Sequence, residues 1–194
     1  MRSDKSKIKD LFKDLIFTKD EIEIIASVFH KITLKKGDIL LKQGDIDGAQ
    51  YYILSGCLRA FHLDGQGKDY TIHFGIKDWW ISDFTSYSSQ EKALMTVEAI
   101  QDSVIYKLSK KDKDRLCNSI SKIDSFFKTK YERAFAAFQQ RILAYLSQTA
   151  KERYVDFIQT YPNIEKNVKN YHIASYLGIT TESLSRIRKE LSNN

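Results

Sequence analysis

Two cysteines, one proline and eight glycines are few for a chain of 194 residues, and each scarcity excludes something. Cys57 and Cys117 stand sixty positions apart with no second thiol near either, so a disulfide scaffold, a zinc finger and a four-cysteine iron–sulfur site lack ligands. A reducing compartment fits that usage. No run approaches the ~18 apolar residues of a membrane span, and the opening MRSDKSKIKD lacks the apolar core of a secretion signal, so a soluble cytoplasmic chain without membrane partners is expected. Acidic residues are also in the minority, 25 against 31 Lys plus Arg for a net charge of +6, which excludes an acidic, solvating, disordered protein. What remains is 42% hydrophobic with 12% aromatics. Such a chain can bury a sizeable core, and at about 150 residues per domain two small domains are expected.

The periodicity changes three times along the chain. Ile8, Leu11, Phe12, Leu15 and Ile16, then Ile22, Ile25, Val28 and Phe29, recur at steps of three and four, which predicts two short helices over residues 8–30 broken near Thr18. Thr18 and Glu21 have the spacing of a capping box. From Thr33 to Leu108 short apolar runs alternate with glycine turns such as Lys36-Gly37-Asp38, Gln43-Gly44-Asp45 and Leu54-Ser55-Gly56, which predicts an antiparallel β domain of jelly-roll or barrel type. Helical spacing returns from Ser121 to Arg153 in an aromatic stripe: Ile123, Phe127, Tyr131, Phe135, Phe138, Ile142, then Tyr145 or Leu146. A helix of that length would run roughly 45 Å, longer than a small β domain needs. Its own domain or a partner helix could cover the stripe, and the length favours a partner, with Phe127, Tyr131, Phe135, Phe138, Ile142 and Tyr145 as the dimer face.

The C-terminal stretch 171–189 reads as helix, turn, helix. Ile173, Ala174 and Leu177 form the inner face of the first helix, Gly178 can take the left-handed conformation that ends it, and Ile179, Leu184 and Ile187 close the core. Thr180 is the expected N-cap of the second helix, which would then project Thr181, Glu182, Ser183, Ser185, Arg186, Arg188 and Lys189. Arg can bind guanine bidentately and Glu can accept from cytosine, so Arg186 and Glu182, four apart on one face, are the candidate base readers. Thr180, Ser183, Arg188 and Lys189 are candidate phosphate contacts, with Thr181 beside them. Double-stranded DNA is the partner this pattern implies.

The order of β domain, long helix and helix-turn-helix resembles the bacterial CRP/FNR superfamily of transcription regulators. The resemblance is carried by residues 34–40 with Gln43-Gly44-Asp45, by residues 52–59, and by Ile179-Thr180-Thr181-Glu182-Ser183-Leu184-Ser185-Arg186-Ile187. It implies an α+β architecture: a cyclic-nucleotide-binding-like jelly roll over 1–120, a dimerisation helix over 121–153 and a helix-turn-helix domain over 154–194, with RNA polymerase as a candidate further partner. Cyclic-AMP-binding relatives carry Gly-Glu-Leu and a later Arg-Ser, Glu holding the ribose and Arg the phosphate. Here the matching positions are Ser82, Asp83, Phe84 and Thr85, then Lys92, Ala93 and Leu94. The phosphate-pairing arginine is absent, and Lys92 lacks its fork geometry, so no cyclic nucleotide cofactor is expected. Only five residues follow Lys189, so the β-hairpin wing of many relatives is expected to be missing. Seven basic against three acidic residues over 121–153 offer compensating charge.

Two other classes compete. A cupin-like metal-dependent enzyme would use jelly-roll histidines, but His62 and His73 form no His-x-His pair, and no nucleophile, zincin or phosphate-loop motif occurs, so neither catalysis nor a metal site is expected. A dimeric protein-interaction module would dock protein on its helix-turn-helix, which the net charge of +6 disfavours.

Overall fold

A computed structural model describes residues 11–12, 15–162 and 164–193. The first of the two helices expected over residues 8–30 lies largely outside the described residues. The second is α1, Lys19–Val28, and its Thr18–Glu21 capping box forms in both directions. Lys122 donates to Glu21 at 2.8 Å and, ahead of the cap, holds that carboxyl below the usual range.

Eight strands follow: β1 His30–Leu34, β2 Ile39–Leu41, β3 Ala49–Ser55, β4 Cys57–Leu63, β5 Asp69–Ile76, β6 Trp80–Ile81, β7 Thr96–Ala99 and β8 Ser103–Ser109. They make two antiparallel four-stranded sheets, ordered β1-β8-β3-β6 and β2-β7-β4-β5. Leu34, Tyr51, Ile53, Leu58, Ala60, Ile81, Val97, Ala99 and Ile105 fill the space between them, as alternation along half-buried strands requires. The chain changes sheets at Gly56, whose φ is +92° and where a Cβ would lie 2.5 Å from the Asp102 carbonyl oxygen, so only glycine fits. A short helix α2, Phe84–Ser89, interrupts the strands. Strand structure therefore begins at His30, inside the predicted helical stretch, because Phe29 already adopts an extended conformation at the end of α1.

Helix α3, Lys110–Ser119, has no counterpart in the sequence reading, since ten residues that bury only Leu116 carry too little apolar periodicity to announce it. The long helix α4 spans Ser121–Ser147. It stops short of the expected Arg153 because Thr149 and Glu152 form a second capping box that opens α5, Ala150–Thr160. Neither proline nor glycine makes this break; a two-residue joint, Gln148 and Thr149, with extended backbone at both does. After a short 3-10 turn, Ile164–Lys166, come α6, Asn170–Leu177, and α7, Thr181–Ser192.

Two further cores flank the barrel. Phe12, Phe29, Tyr106, Leu116, Ile123 and Phe127 join α1, α3 and the start of α4 to the first sheet. Tyr154, Phe157, Tyr161, Ile173, Leu177, Leu184 and Ile187 hold α5 to α7 together and meet Cys57, Phe74 and Ile100 of the second sheet.

Candidate nucleic-acid interface and effector site

Helices α6 and α7 form the expected helix-turn-helix. Gly178 sits at φ +68° and closes α6, its amide donating to Ala174 and Ser175 carbonyls. Thr180 caps α7 by accepting the Ser183 amide at 3.2 Å. Leu184 and Ile187 are buried against Ile173, Ala174 and Leu177, which leaves the opposite face of α7 to solvent. Glu182, Ser185, Arg186 and Lys189 are exposed, and Thr181 and Ser183 half-buried. The Glu182 carboxyl is held below the usual range by its own backbone amide, then by the Thr180 and Thr181 hydroxyls, so it stays an acceptor at neutral pH.

Arg188 is placed differently. Its guanidinium reaches Glu165 at 2.9 Å, Asn170 at 2.7 Å and the Tyr154 hydroxyl at 3.2 Å, and Tyr154 itself hydrogen-bonds Glu165. Those bonds tie α7 to α5, the 3-10 turn and α6, so Arg188 is engaged inside the domain rather than presented with Arg186 and Lys189.

The two halves expected to form an effector cassette do meet. Asp83 is 2% exposed, and its carboxylate accepts three backbone amides: Ser86 at 2.9 Å on one oxygen, Leu94 at 2.8 Å and Met95 at 2.9 Å on the other. The first bond caps α2, and the other two clamp the loop before β7. Ala93 is buried, whereas Phe84, Lys92 and Leu94 are exposed and Ser82 and Thr85 half-buried. Converging amides make an anion site, and here the protein's own carboxylate takes the amides.

Along α4 the expected dimer face divides. Phe127 is 2% exposed in the first flanking core, and the Tyr131 hydroxyl donates to Gln50 at 3.0 Å, so both serve their own chain. Phe135, Phe138, Ile142, Leu143, Tyr145 and Leu146 are all exposed, Phe135 by 63% and Leu146 by 77%. Tyr145 also lies against the Gly178 turn, where a Cβ would come within 2.5 Å of its hydroxyl oxygen, and its ring takes the Arg153 guanidinium at 5.1 Å.

Elsewhere, burial pushes the Cys57 thiol up to about 12 and the His73 imidazole down to about 4, aided by Arg141, which leaves both uncharged at neutral pH. His62 contacts the Leu94 carbonyl at 2.9 Å. Among the described residues no group of three or more His, Cys, Asp and Glu side chains could hold a metal ion. No described helix is long and apolar enough to cross a membrane.

One group escaped the sequence reading. Arg59 on β4 is 2% exposed and bonds Glu98 at 2.8 Å, Asp69 at 3.0 Å and Thr71 at 3.3 Å, with Phe61 under its guanidinium at 4.0 Å. The one available signal was a charge inside the apolar run Cys57-Leu58-Arg59-Ala60, which alternation alone treats as solvent-facing.

Residues 31–119 match the family model for the cyclic nucleotide-binding domain. The chain is 22% identical to transcriptional activator protein Anr of Pseudomonas protegens over 172 residues, 83% of this chain and 70% of that protein. It is similarly related to transcriptional activator protein FnrA of Stutzerimonas stutzeri, at 22% over 174 residues, 83% of this chain and 70% of the other. FixK2 from Bradyrhizobium japonicum superposes with a TM-score of 0.74 at 16% identity, covering 86% of this chain and 85% of that one. A CooA mutant from Carboxydothermus hydrogenoformans gives 0.73 at 12% identity, covering 100% and 87%. At those identities the solved structures establish the fold, a jelly roll followed by a long helix and a C-terminal helical domain.

Proposed function

We propose that the chain is a DNA-binding transcription regulator of the CRP/FNR type that acts as a homodimer, reads a palindromic operator with α7, and needs no cyclic nucleotide. The observation that carries the reading is the two-faced α7: Leu184 and Ile187 lock it into the domain while Glu182, Ser185, Arg186 and Lys189 stay exposed. A helix presented to the major groove needs that division, with hydrogen-bonding groups near its N-terminal end. Arg186 and Glu182 read base edges, and Lys189, Thr181 and Ser183 lie where backbone contacts are made. Arg188 holds the domain's shape through Glu165 and Asn170.

The exposed half of α4 supports dimerisation, since Phe135, Phe138, Ile142 and Leu146 form an apolar stripe that a second copy's stripe would cover. Two-fold pairing along α4 would call for a palindrome whose half-sites lie one helical turn, ~34 Å, apart. Independence from cyclic nucleotide rests on Asp83. Its buried carboxylate satisfies the amides of Leu94 and Met95, so a nucleotide phosphate would have to displace an internal anion, with no arginine fork to hold it.

Selection from randomised duplex DNA at low and physiological salt, with and without cyclic AMP or cyclic GMP, tests the reading. An enriched palindrome in every condition is expected. Enrichment only with nucleotide would overturn the independence, and no enrichment in any condition would overturn DNA binding.

A further inference from the structure

Helix α4 and the helix-turn-helix unit are joined covalently by Gln148 and Thr149 alone, with extended backbone at both. A two-residue joint sets no orientation by itself, so whatever fixes α7 relative to α4 must be non-covalent. Part of that contact is apolar, where Phe74 of β5 meets Phe157, Tyr161 and Tyr176 at ring separations of 5.6 to 6.1 Å. Ring packing of this kind contributes buried area, while hydrogen bonds are the more directional contacts.

Arg153 of α5 bonds the Gln148 and Leu177 carbonyls beside Tyr145, and a second directional part lies on β5, the edge strand of its sheet. An edge strand presents unpaired amides and carbonyls. At this edge the pairing with β4 shifts between Ala60 and Phe61, leaving Ile72 out of the ladder. Beside that irregularity the Ser175 hydroxyl of α6 accepts the Thr71 amide at 2.9 Å and donates to the Asp69 carbonyl at 3.1 Å. One helical side chain thus bonds both kinds of edge group, as a neighbouring strand would. One turn earlier the Tyr171 hydroxyl donates to the Asp69 carboxylate at 3.2 Å. That carboxylate is fixed from below by Arg59, itself held by Glu98. Arg141 of α4 closes the circuit, donating to the Thr71 carbonyl at 3.4 Å and lying 4.0 Å over the Tyr176 ring.

We propose that this polar latch, with Ser175 at its centre and buried Arg59 behind it, determines which half-site spacing the dimer accepts. Beside the direct contact of Tyr145 with the Gly178 turn, a path from seam to base reader runs α4, β5, α6, α7: Arg141 ties α4 to β5, Ser175 ties β5 to α6, and the shared core makes α6 and α7 one body. Ser175 is a positioning residue. Loss of its two hydrogen bonds leaves each half-site reader intact and loosens the angle between the two readers.

The inference rests on the proposed DNA binding, and its test separates the two. Full-length wild type and Ser175→Ala are compared by amide hydrogen exchange without DNA, then by anisotropy titration of three duplexes: the selected palindrome, the same with one base pair added to its spacer, and a lone half-site. Exchange at the Thr71 amide is expected to rise at least about threefold in the variant. Preference for the native over the lengthened spacer is expected to fall about threefold to tenfold, with half-site affinity unchanged within about twofold. Unchanged exchange overturns the latch whatever happens with DNA. Faster exchange with unchanged spacing preference, or with equal loss on the half-site, overturns its positioning role. If wild type binds none of the duplexes, DNA binding itself fails and the positioning role with it, while the exchange data still report on the latch.

Discussion

The proposed effector loop and the proposed recognition helix open in the same way and end in opposite chemistry. Each begins a helix whose N-cap side chain accepts the amide three residues on, Asp83 from Ser86 and Thr180 from Ser183. At Asp83 the cap is a buried anion with a second oxygen, which takes two further amides and closes the loop. At Thr180 the cap is an exposed neutral hydroxyl with no such surplus, and the polar groups after it remain available to solvent. A capping bond says nothing of function until burial and charge are added; the first turns the motif into a closed site and the second into an open one.

The largest expected effect comes from breaking the closed site. Asp83→Ala removes the acceptor of three amides at a buried position, and a loss of about 3–5 kcal/mol in urea-unfolding free energy is expected. A loss below about 1 kcal/mol would mean that those amides find other partners and that Asp83 does not close the cassette. Next in size is the apolar stripe beyond the open site. Phe135→Asp or Phe138→Asp places a charge in a seam where hot-spot residues contribute about 2–4 kcal/mol, so sedimentation should show monomers at concentrations where wild type is dimeric. Intact dimers would place the seam elsewhere.

Within the recognition helix the contrast sharpens between residues two positions apart. Arg186→Ala should cost about 1–3 kcal/mol on the selected operator and relax one base pair per half-site. Arg188→Ala should instead lower domain stability by about 1 kcal/mol through its partly exposed pair with Glu165 and leave the salt dependence of DNA binding unchanged. Equal losses for both on every sequence would refute the division of labour.

The smallest effect is in pH. His172, 7% exposed, has its imidazole lowered to about 4, first by burial and then by Arg59. The unfolded chain takes up that proton near pH 6.5 while the folded chain refuses it until about pH 4, so this contribution is whole above pH 6.5 and shrinks as pH falls through that window. Between pH 7 and 5 the loss in urea unfolding should be greater for wild type than for His172→Gln by somewhat less than about 1 kcal/mol, solvent screening around the ring reducing the effect. Parallel losses would refute it.

Most of the architecture was legible because its signals are local. Glycine turns, the Thr18–Glu21 box, the Ala174 to Gly178 spacing and the buried Leu184 and Ile187 depend on residues within a few positions of one another. The end of α4 was also written locally, in Thr149 and Glu152, but a cap inside an unbroken helical pattern is outweighed by periodicity. What could not be read is long-range. That Phe127 and Tyr131 serve their own chain while Phe135 and Phe138 stand exposed follows from where the first sheet ends, not from the stripe. Arg188 looked like a DNA contact until Glu165 and Asn170 stood beside it, and the Ser175 bonds span more than a hundred positions.

Closure of the loop by the Asp83 carboxylate is proposed to make operator binding independent of cyclic nucleotide. Anisotropy titration of the selected operator with wild-type protein, with and without saturating cyclic AMP or cyclic GMP, tests it most directly. Dissociation constants that agree within about twofold are expected; a tightening of tenfold or more, about 1.4 kcal/mol, with either nucleotide would contradict it.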